Sequence, residues 1–261
     1  YALMCHGTKL AYCAKFEQLT EAMKIVHPTI FVAVPRVYEK IRQAVESKSA
    51  ASPMKSKILK WALGVGKAHR AETLAGKQQS GLAWKLAKRL VFDKIAEAFG
   101  GRVRTFISGG APLGMDTAGW FADVGDVILE GYGLTETSPV IALNYPGAHR
   151  IGTVGKPLEN VECRIAADGE LEVKGPSIFV GYWKKEKETK EAFTEDGFFK
   201  TGDIGNIDAD GFLSITDRKK ELLKTSGGKL IAPAPIENRL KSNSLVGHAA
   251  MVGDKHKFAS V

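Results

Sequence analysis

Hydrophobic positions in the first half of the chain predict strands that alternate with helices. Short apolar runs rich in β-branched residues indicate buried strands, and apolar residues repeating every four positions indicate helices. Strands, helices and strands in this alternation predict the α/β class, with a parallel sheet covered by helices. In chain order, the pattern gives a strand at 27–36, a helix at 37–51, mainly helix over 53–99, a strand at 103–110, a helix at 116–124 with Asp116 as its N-cap, and a strand at 126–133.

After about residue 140 the pattern changes to short strands with Gly and Asp at the bends. The stretch "VECRIAADGELEVKG" predicts a strand, an Asp-Gly turn and a second strand, and "GFFKTGDIGNIDADGFLSITDR" repeats the arrangement. We therefore predict a β-rich subdomain in the form of a distorted barrel, with a solvated surface helix at 184–193. From Asp217 the chain is rich in Lys and then carries Gly-Gly and two prolines, which is typical of a linker entering a small α+β C-terminal domain.

These changes divide the chain into three parts. Residues 1–128 are expected to form part of a large N-terminal α/β unit, and residues 129–216 the β-rich subdomain with loops for a ligand. Residues 217–261 are expected to form a hinge and the beginning of a C-terminal lid domain. Both ends of the chain have the patterns of structured segments, so we expect an internal piece of a longer protein.

The net charge of +8 and the pI near 9.3 favour a polyanionic partner such as a nucleotide, coenzyme A, nucleic acid or an anionic membrane. Much of the positive charge lies at 55–70 and 85–94, where a solvated helix face is the simpler explanation. The apolar residues of this region either pack on the sheet, which we expect, or lie on a membrane surface. They are Met54, Ile58, Trp61, Leu63, Leu82, Leu86 and Leu90.

Cysteine and histidine spacing gives no indication of a zinc site. The three cysteines are scattered and odd in number, and the six histidines are not paired at ligand spacing. Free thiols favour a reducing compartment. Neither a secretory signal pattern nor a run of about 18 apolar residues is visible. We expect a cytoplasmic protein, with peripheral attachment at the inner membrane face as the alternative.

Two glycine turns follow predicted parallel strands, at Gly109-Gly110 and within "EGYGLTETSP" (130–139). Ligands of such sheets bind at the carboxyl ends of the strands. Tyr132 between two glycines offers a ring for a base, and Thr135 and Glu136 offer the hard oxygen ligands that suit phosphate and Mg²⁺. Each feature alone is equally typical of an ordinary turn.

Two further residues suit a nucleotide. Asp203 in "TGD" offers a carboxylate that accepts two hydrogen bonds from a ribose diol, and Arg218 offers a planar fork for phosphate or ribose oxygens. Taken singly, a turn aspartate and a surface arginine are the simpler interpretations. Only the order of the motifs along the chain favours a nucleotide site over these simpler interpretations.

The ordered motifs resemble the adenylate-forming, AMP-binding enzymes, which include acyl-CoA synthetases, beetle luciferases and nonribosomal peptide adenylation domains. The stretches "PTIFVAVPRVYEKI" and "GGKLIAPAPIEN" resemble the long-chain fatty acid–CoA ligase branch. The resemblance covers nearly the whole chain. Its motifs are "SGGAPL" (108–113), "GYGLTETSP" (131–139), "GTVGKPL" (152–158), "GPSIFVGYW" (175–183), "DGFFKTGD" (196–203) and "DRKKELLKTSGGKLIAPAPIE" (217–237).

The resemblance implies a nucleotide site and a mobile face. Thr135 would contact the α-phosphate and Glu136 would hold Mg²⁺. Lys220 matches the hinge about which the C-terminal domain turns, and Lys224 and Gly227 would belong to the face that enters for thioester formation. The remaining nucleotide-binding residues would be Gly110, Ala111 and Pro112 around adenine, Tyr132 and Gly133 beside it, and Asp203 and Arg218 on the ribose.

The activity that the resemblance implies has two steps, with ATP, Mg²⁺ and coenzyme A as cofactors or co-substrates. A fatty carboxylate reacts with ATP to give acyl-AMP and pyrophosphate, and coenzyme A then takes the acyl group and releases AMP. The family's Ser/Thr/Gly-rich phosphate loop and its C-terminal catalytic lysine have no counterpart in these 261 residues. We therefore expect the piece alone to be inactive.

Three alternatives remain open at this point. One is a fatty acyl-AMP ligase or another adenylate-forming enzyme that stops at the adenylate or uses a carrier protein. Another is a non-catalytic relic that binds adenylate without turnover. A nucleic-acid binder has only the positive charge in its favour, because no known nucleic-acid motif stands out, so we expect no nucleic acid partner.

Overall fold

The computed structural model describes residues 5–241, 243 and 245–261. Within this part of the chain, five strands form the first sheet, in the order β1-β2-β3-β4-β5. β1, β2 and β3 are parallel, whereas β4 and β5 are antiparallel to their neighbours, so the predicted parallel sheet is confirmed for its first three strands. The strands are β1 (Ile30–Ala33), β2 (Thr105–Ser108), β3 (Ile128–Gly133), β4 (Val140–Leu143) and β5 (Lys156–Pro157).

Helices connect and cover the parallel strands, as predicted. Two of them begin with proline, whose fixed φ and missing N–H suit the first position of a helix. The helix predicted at 116–124 begins one residue earlier, so Asp116 is not its N-cap but lies in its first turn. The helices are α1 (Leu19–Val26), α2 (Pro35–Ala50), α3 (Pro53–Leu74), α4 (Leu82–Ala87) continued by a π-helical segment (Lys88–Phe92), α5 (Asp93–Ala98) and α6 (Met115–Asp123).

Aromatic side chains join these helices to the sheet. Phe31 of β1, Tyr38 of α2 and Phe121 of α6 belong to one buried cluster with Phe99 and Phe106. Their rings meet mostly edge to face, with centroids 5.0–6.5 Å apart, an arrangement worth about 0.5–1.5 kcal/mol per pair beyond burial. The Tyr38 hydroxyl donates to the carbonyl oxygen of Ile107 at 2.8 Å, so its burial leaves no unsatisfied polar group.

The leucine row at 82, 86 and 90 does not pack on the sheet, so that expectation is wrong. These side chains are 86%, 50% and 40% exposed, whereas Trp84 and Ala87 are buried on the opposite side of the same helix. Spacing of four residues shows that the leucines share a face, but it does not show which face is buried. Trp84 takes the inner position because its large ring packs against Phe92, with the centroids 5.2 Å apart.

The second sheet is an antiparallel meander, β6-β7-β8-β9, which confirms the predicted β-rich region and its Asp-Gly turn. Leu171 and Phe199 from this sheet pack with Ile141 of β4, so the two sheets share a second buried cluster. Helix α7 (Glu186–Ala192) has no buried residue, in agreement with the predicted surface helix. The strands are β6 (Glu162–Ile165), β7 (Glu170–Lys174), β8 (Phe199–Ile207) and β9 (Leu213–Arg218).

The last part of the chain is a short hairpin followed by a helix. β10 (Leu223–Lys224) pairs with β11 (Leu230–Ile231), and α8 (Pro233–Lys241) follows. The buried Asp217 in β9 accepts the N–H of Ala234 at 3.1 Å, which ties the start of α8 to the second sheet. The division into three parts stays a prediction, and its boundary at 128/129 falls within β3.

Candidate functional site

The glycine turn after β2 lies beside β3, and the second predicted glycine turn is wrong because Gly131 and Gly133 are strand residues of β3 that pair with β4. The N–H of Leu113, which follows the Gly110–Pro112 turn, donates to Glu130 Oε2 in β3 at 3.1 Å. Gly110 has a φ of 81°, a conformation that favours glycine. The predicted adenine-binding turn, with Ala111 and Pro112, is therefore fixed to the strand that carries Tyr132.

Glu130 belongs to the candidate site but was not among the residues predicted from the sequence. Its side chain is buried, and burial raises the pKa of the carboxyl to about 7, against the opposing effect of the Leu113 hydrogen bond. The residue directly precedes Gly131 in an otherwise apolar strand. This charged residue in an apolar strand was the sequence feature that could have indicated a buried carboxylate.

Three predicted residues form one hydrogen-bonded network. The Tyr132 hydroxyl donates to Asp203 Oδ2 at 2.5 Å, and Arg218 Nε lies 2.8 Å from Asp203 Oδ1. They come from β3, β8 and β9, and Asp203 pairs directly with Arg218 in the register of the second sheet. The network therefore links the two sheets at the carboxyl end of β3.

The electrostatics of this network follow from burial. The Asp203 side chain is only 4% exposed, and burial raises the pKa of its carboxyl, while the Tyr132 hydrogen bond and the Arg218 charge oppose the rise. Burial also raises the pKa of Tyr132, and the neighbouring carboxylate adds to that rise, so the phenol remains a hydrogen-bond donor. Charge-assisted bonds of this type fix both side chains in place.

Thr135 and Glu136 lie in a single 3₁₀ turn, Thr135–Thr137, directly after β3. The buried Thr137 hydroxyl stabilises the turn by accepting the Leu134 N–H at 2.9 Å and donating to the Pro139 carbonyl at 2.6 Å. A Cβ on Gly133 would lie 1.6 Å from the Pro139 oxygen, so the close return of the chain requires glycine there. The turn therefore presents Thr135, which is exposed, and Glu136, which is half-buried.

The carboxylate of Glu136 suits a divalent cation. The Tyr182 hydroxyl donates to its Oε1 at 3.0 Å, and no described Lys, Arg or His forms an ion pair with it. A carboxylate without a protein counter-charge is a hard ligand of the type that Mg²⁺ prefers. Tyr182 was missed from the sequence, although it lies in the quoted "GPSIFVGYW" stretch.

The structure does not bring the predicted hinge and thioester residues into this network. Lys220 is exposed in the 3₁₀ turn Lys219–Glu221, and Lys224 is exposed in β10, with its N–H donating to Asp254 Oδ1 at 3.0 Å. Gly227 lies in the exposed turn between β10 and β11. Across the described ranges, no hydrogen bond or ion pair connects these three residues to Asp203.

Comparison with curated proteins identifies close relatives. The family model of the AMP-binding enzymes matches residues 1–183. A long-chain-fatty-acid–CoA ligase of Mycobacterium bovis is 42% identical over 253 residues, covering 95% of this chain and 42% of that protein. A human long-chain-fatty-acid–CoA ligase is 36% identical over 251 residues, covering 93% of this chain and 38% of that protein. The chain thus spans less than half the length of these relatives.

Solved structures confirm the predicted fold class. ATP-bound MatB from Rhodopseudomonas palustris matches with a TM-score of 0.63 at 30% identity, over 91% of this chain and 40% of that one. An AMP complex of the carboxylic acid reductase A-PCP didomain from Segniliparus rugosus matches with a TM-score of 0.67 at 23% identity, over 97% of this chain and 33% of that one, which supports the fold alone. The chain belongs to the AMP-binding enzyme family, and its relatives lie in the long-chain fatty acid–CoA ligase branch.

Proposed function

We propose that the full-length protein carrying this chain activates a long-chain fatty acid with ATP and transfers the acyl group to coenzyme A. In the first step a carboxylate oxygen attacks the α-phosphorus, the bond to pyrophosphate breaks, and acyl-AMP forms. In the second step the thiolate of coenzyme A attacks the acyl carbonyl and AMP leaves. The observation that carries this proposal is the Tyr132–Asp203–Arg218 network, together with a Glu136 carboxylate that accepts from Tyr182 and forms no ion pair with a described residue.

The nucleotide roles follow from the chemistry of each side chain. Asp203 accepts the two ribose hydroxyls, because a carboxylate has about four lone-pair positions and the network occupies two of them. Arg218 places a positive charge beside the ribose and phosphates, and Tyr132, held by its hydroxyl, offers a fixed ring face to adenine. The Gly110–Pro112 turn lines the other side of the base.

The phosphate roles belong to the 3₁₀ turn. The exposed Thr135 hydroxyl donates to an oxygen of the α-phosphate, where negative charge develops in the transition state. A Mg²⁺ ion held by Glu136 would neutralise charge on the phosphates and on the departing pyrophosphate. Tyr182 orients the Glu136 carboxylate through its hydroxyl.

The thioester step uses the last part of the chain. Lys220 is the hinge in this proposal, and rotation there exchanges the surface that faces the adenylate. The exposed Lys224 and Gly227 lie on the β10–β11 hairpin and would enter the site after rotation. A hinge suits this chemistry because two reactions use one pocket with different walls.

Fatty-acid-dependent exchange of labelled pyrophosphate into ATP, followed by CoA-dependent release of AMP, tests the proposal in the full-length protein. Exchange without coenzyme A, together with AMP release only in its presence, is the expected result. Adenylate released without any effect of coenzyme A would instead indicate a fatty acyl-AMP ligase. AMP binding with no exchange across a panel of carboxylic acids would indicate a non-catalytic adenylate binder.

A cytoplasmic location with peripheral attachment to an anionic membrane is a further part of the proposal. Met54 and Trp61 on α3 are 71% and 40% exposed, and the leucine row of α4 and its π-helical continuation is exposed as well. Exposed lysines lie near both groups along the chain, so these helices combine exposed apolar side chains with positive charge, which complements anionic lipid headgroups. Among the described residues, no helix has the length and hydropathy needed to cross a bilayer.

Charge reversal tests this surface. Lys85, Lys88 and Arg89 replaced by glutamate should lower co-sedimentation with vesicles containing phosphatidylserine by at least about tenfold, since each cation contributes about 1 kcal/mol near such a surface. The matched control reverses Lys185, Lys187 and Lys190, which are exposed at or in α7 and carry the same charge. Equal loss in both variants, or no loss in either, would show that this surface does not bind membranes.

A further inference from the structure

Lys219 connects the 3₁₀ turn that contains the predicted hinge residue Lys220 to the second sheet. Its ammonium lies 2.6 Å from Asp168 Oδ2 and 2.6 Å from Glu170 Oε2. Glu170 is 7% exposed at the side chain, whereas Lys219 and Asp168 are 41% and 53% exposed. We call Lys219, Asp168 and Glu170 the Lys219 cluster. Within it, the buried carboxylate depends on a lysine that lies directly before Lys220 in the chain.

The other oxygen of Glu170 holds the backbone next to Asp203. Glu170 Oε1 accepts the N–H of Gly202 at 2.9 Å, and Gly202 has a φ of 72°, in the region that favours glycine. The Thr201 hydroxyl donates to the Leu171 carbonyl at 2.7 Å and accepts the N–H of Asp203 at 3.1 Å. Strand β7 thus fixes the backbone that presents the Asp203 carboxylate.

Charge links the same groups. Burial raises the pKa of Asp203 and the Glu170 carboxylate adds to the rise, while the hydrogen bonds that Lys219 donates to Asp168 and Glu170 raise the pKa of Lys219. A buried carboxylate that loses its cation is costly and moves toward water or takes up a proton. Displacement of Lys219 would therefore weaken the hold of Glu170 on Gly202.

From this geometry we propose that Glu170 is a positioning residue, which couples the position of Lys219 at the hinge to the backbone that presents Asp203. While Lys219 is bound, the part of β8 around Gly202, where the pairing with β7 shifts register, is held in the arrangement described above. When the chain after Arg218 turns, Lys219 leaves, and this part of β8 loosens. The nucleotide role of Asp203 and the hinge at Lys220 rest on the proposed function, whereas the coupling between Lys219 and residues 201–203 does not.

Amide hydrogen exchange of the nucleotide-free full-length protein tests the coupling by a double-mutant cycle. Lys219→Met should speed exchange at residues 201–203 about fivefold, because Glu170 loses its cation and holds the Gly202 N–H less firmly. Glu170→Gln keeps an acceptor for the Gly202 N–H but removes the charge that Lys219 balances. Lys219→Met combined with Glu170→Gln should therefore return the exchange rate at 201–203 to near the wild-type value. Lys187→Met, which removes an exposed lysine of α7, is the control and should change nothing at 201–203.

Additive effects in the double variant, or unchanged exchange at 201–203 in Lys219→Met, would overturn the proposal. Asp168→Asn is a second test variant if Lys219→Met folds poorly. It removes the exposed carboxylate that pairs with Lys219, so it should increase the exchange rate at 201–203 by less than Lys219→Met does.

AMP affinity measured on the same variants separates this proposal from the proposed function. Absence of AMP binding in the wild-type protein would contradict the nucleotide role of Asp203 and leave the exchange result as the test of coupling.

Discussion

Glu136→Ala in the full-length protein should lower fatty-acid-dependent ATP–pyrophosphate exchange by at least about a thousandfold, because the site loses its ligand for the metal that neutralises the phosphates. The fold should remain intact. The side chain is only half-buried, and its hydrogen-bond partner among the described residues is the Tyr182 hydroxyl, whereas the buried Thr137 stabilises the turn. Initial rates and a thermal unfolding curve on the same sample check both parts.

Two further variants sharpen this result. Tyr182→Phe leaves the Glu136 carboxylate in place but removes its hydroxyl donor, so it should lower exchange by only about tenfold, in line with loss of one hydrogen bond. Glu191→Ala removes an exposed carboxylate of α7 and serves as the control. Near-normal exchange by Glu136→Ala would contradict the role assigned to Glu136.

Glu130→Gln should gain stability relative to the wild-type protein as the pH rises from 4 to 8. Burial raises the pKa of this carboxyl to about 7, so the folded state binds the proton more tightly than the unfolded state does. Ionisation of Glu130 therefore lowers the stability of the wild-type protein as pH rises through this range. The glutamine variant does not titrate, and its Oε1 can still accept the Leu113 N–H, so its relative gain should reach about 3 kcal/mol.

Urea unfolding at both pH values measures this difference. Glu159→Gln, at an exposed position, is the control and should change the free energy of unfolding equally at pH 4 and pH 8. Asp126→Asn should behave as Glu130→Gln does, because burial also raises the pKa of Asp126 to about 7. A constant difference between Glu130→Gln and wild type across the pH range would show that Glu130 is not desolvated in solution.

Sequence patterns predicted the order of strands and helices because period and turn chemistry are local properties. The motifs also indicated Tyr132, Asp203 and Arg218 one by one, but their mutual hydrogen bonds depend on how β3 meets the second sheet. Glu130 and Glu170 were missed for a related reason. A charged residue in a strand is expected to face water. Only the three-dimensional fold shows that each of these carboxylates accepts a hydrogen bond from a backbone N–H.

The arrangement of the sheets also has a consequence for the folding process. β1 and β2 are parallel neighbours, yet the whole of α2 to α5 lies between them in the chain, whereas β6 to β9 pair with sequence neighbours. Closing a long segment costs more entropy than closing a hairpin, and non-local pairing slows folding. The meander should therefore acquire protected amides first, and β4, through Ile141, would then offer the parallel strands a preformed surface on which to assemble.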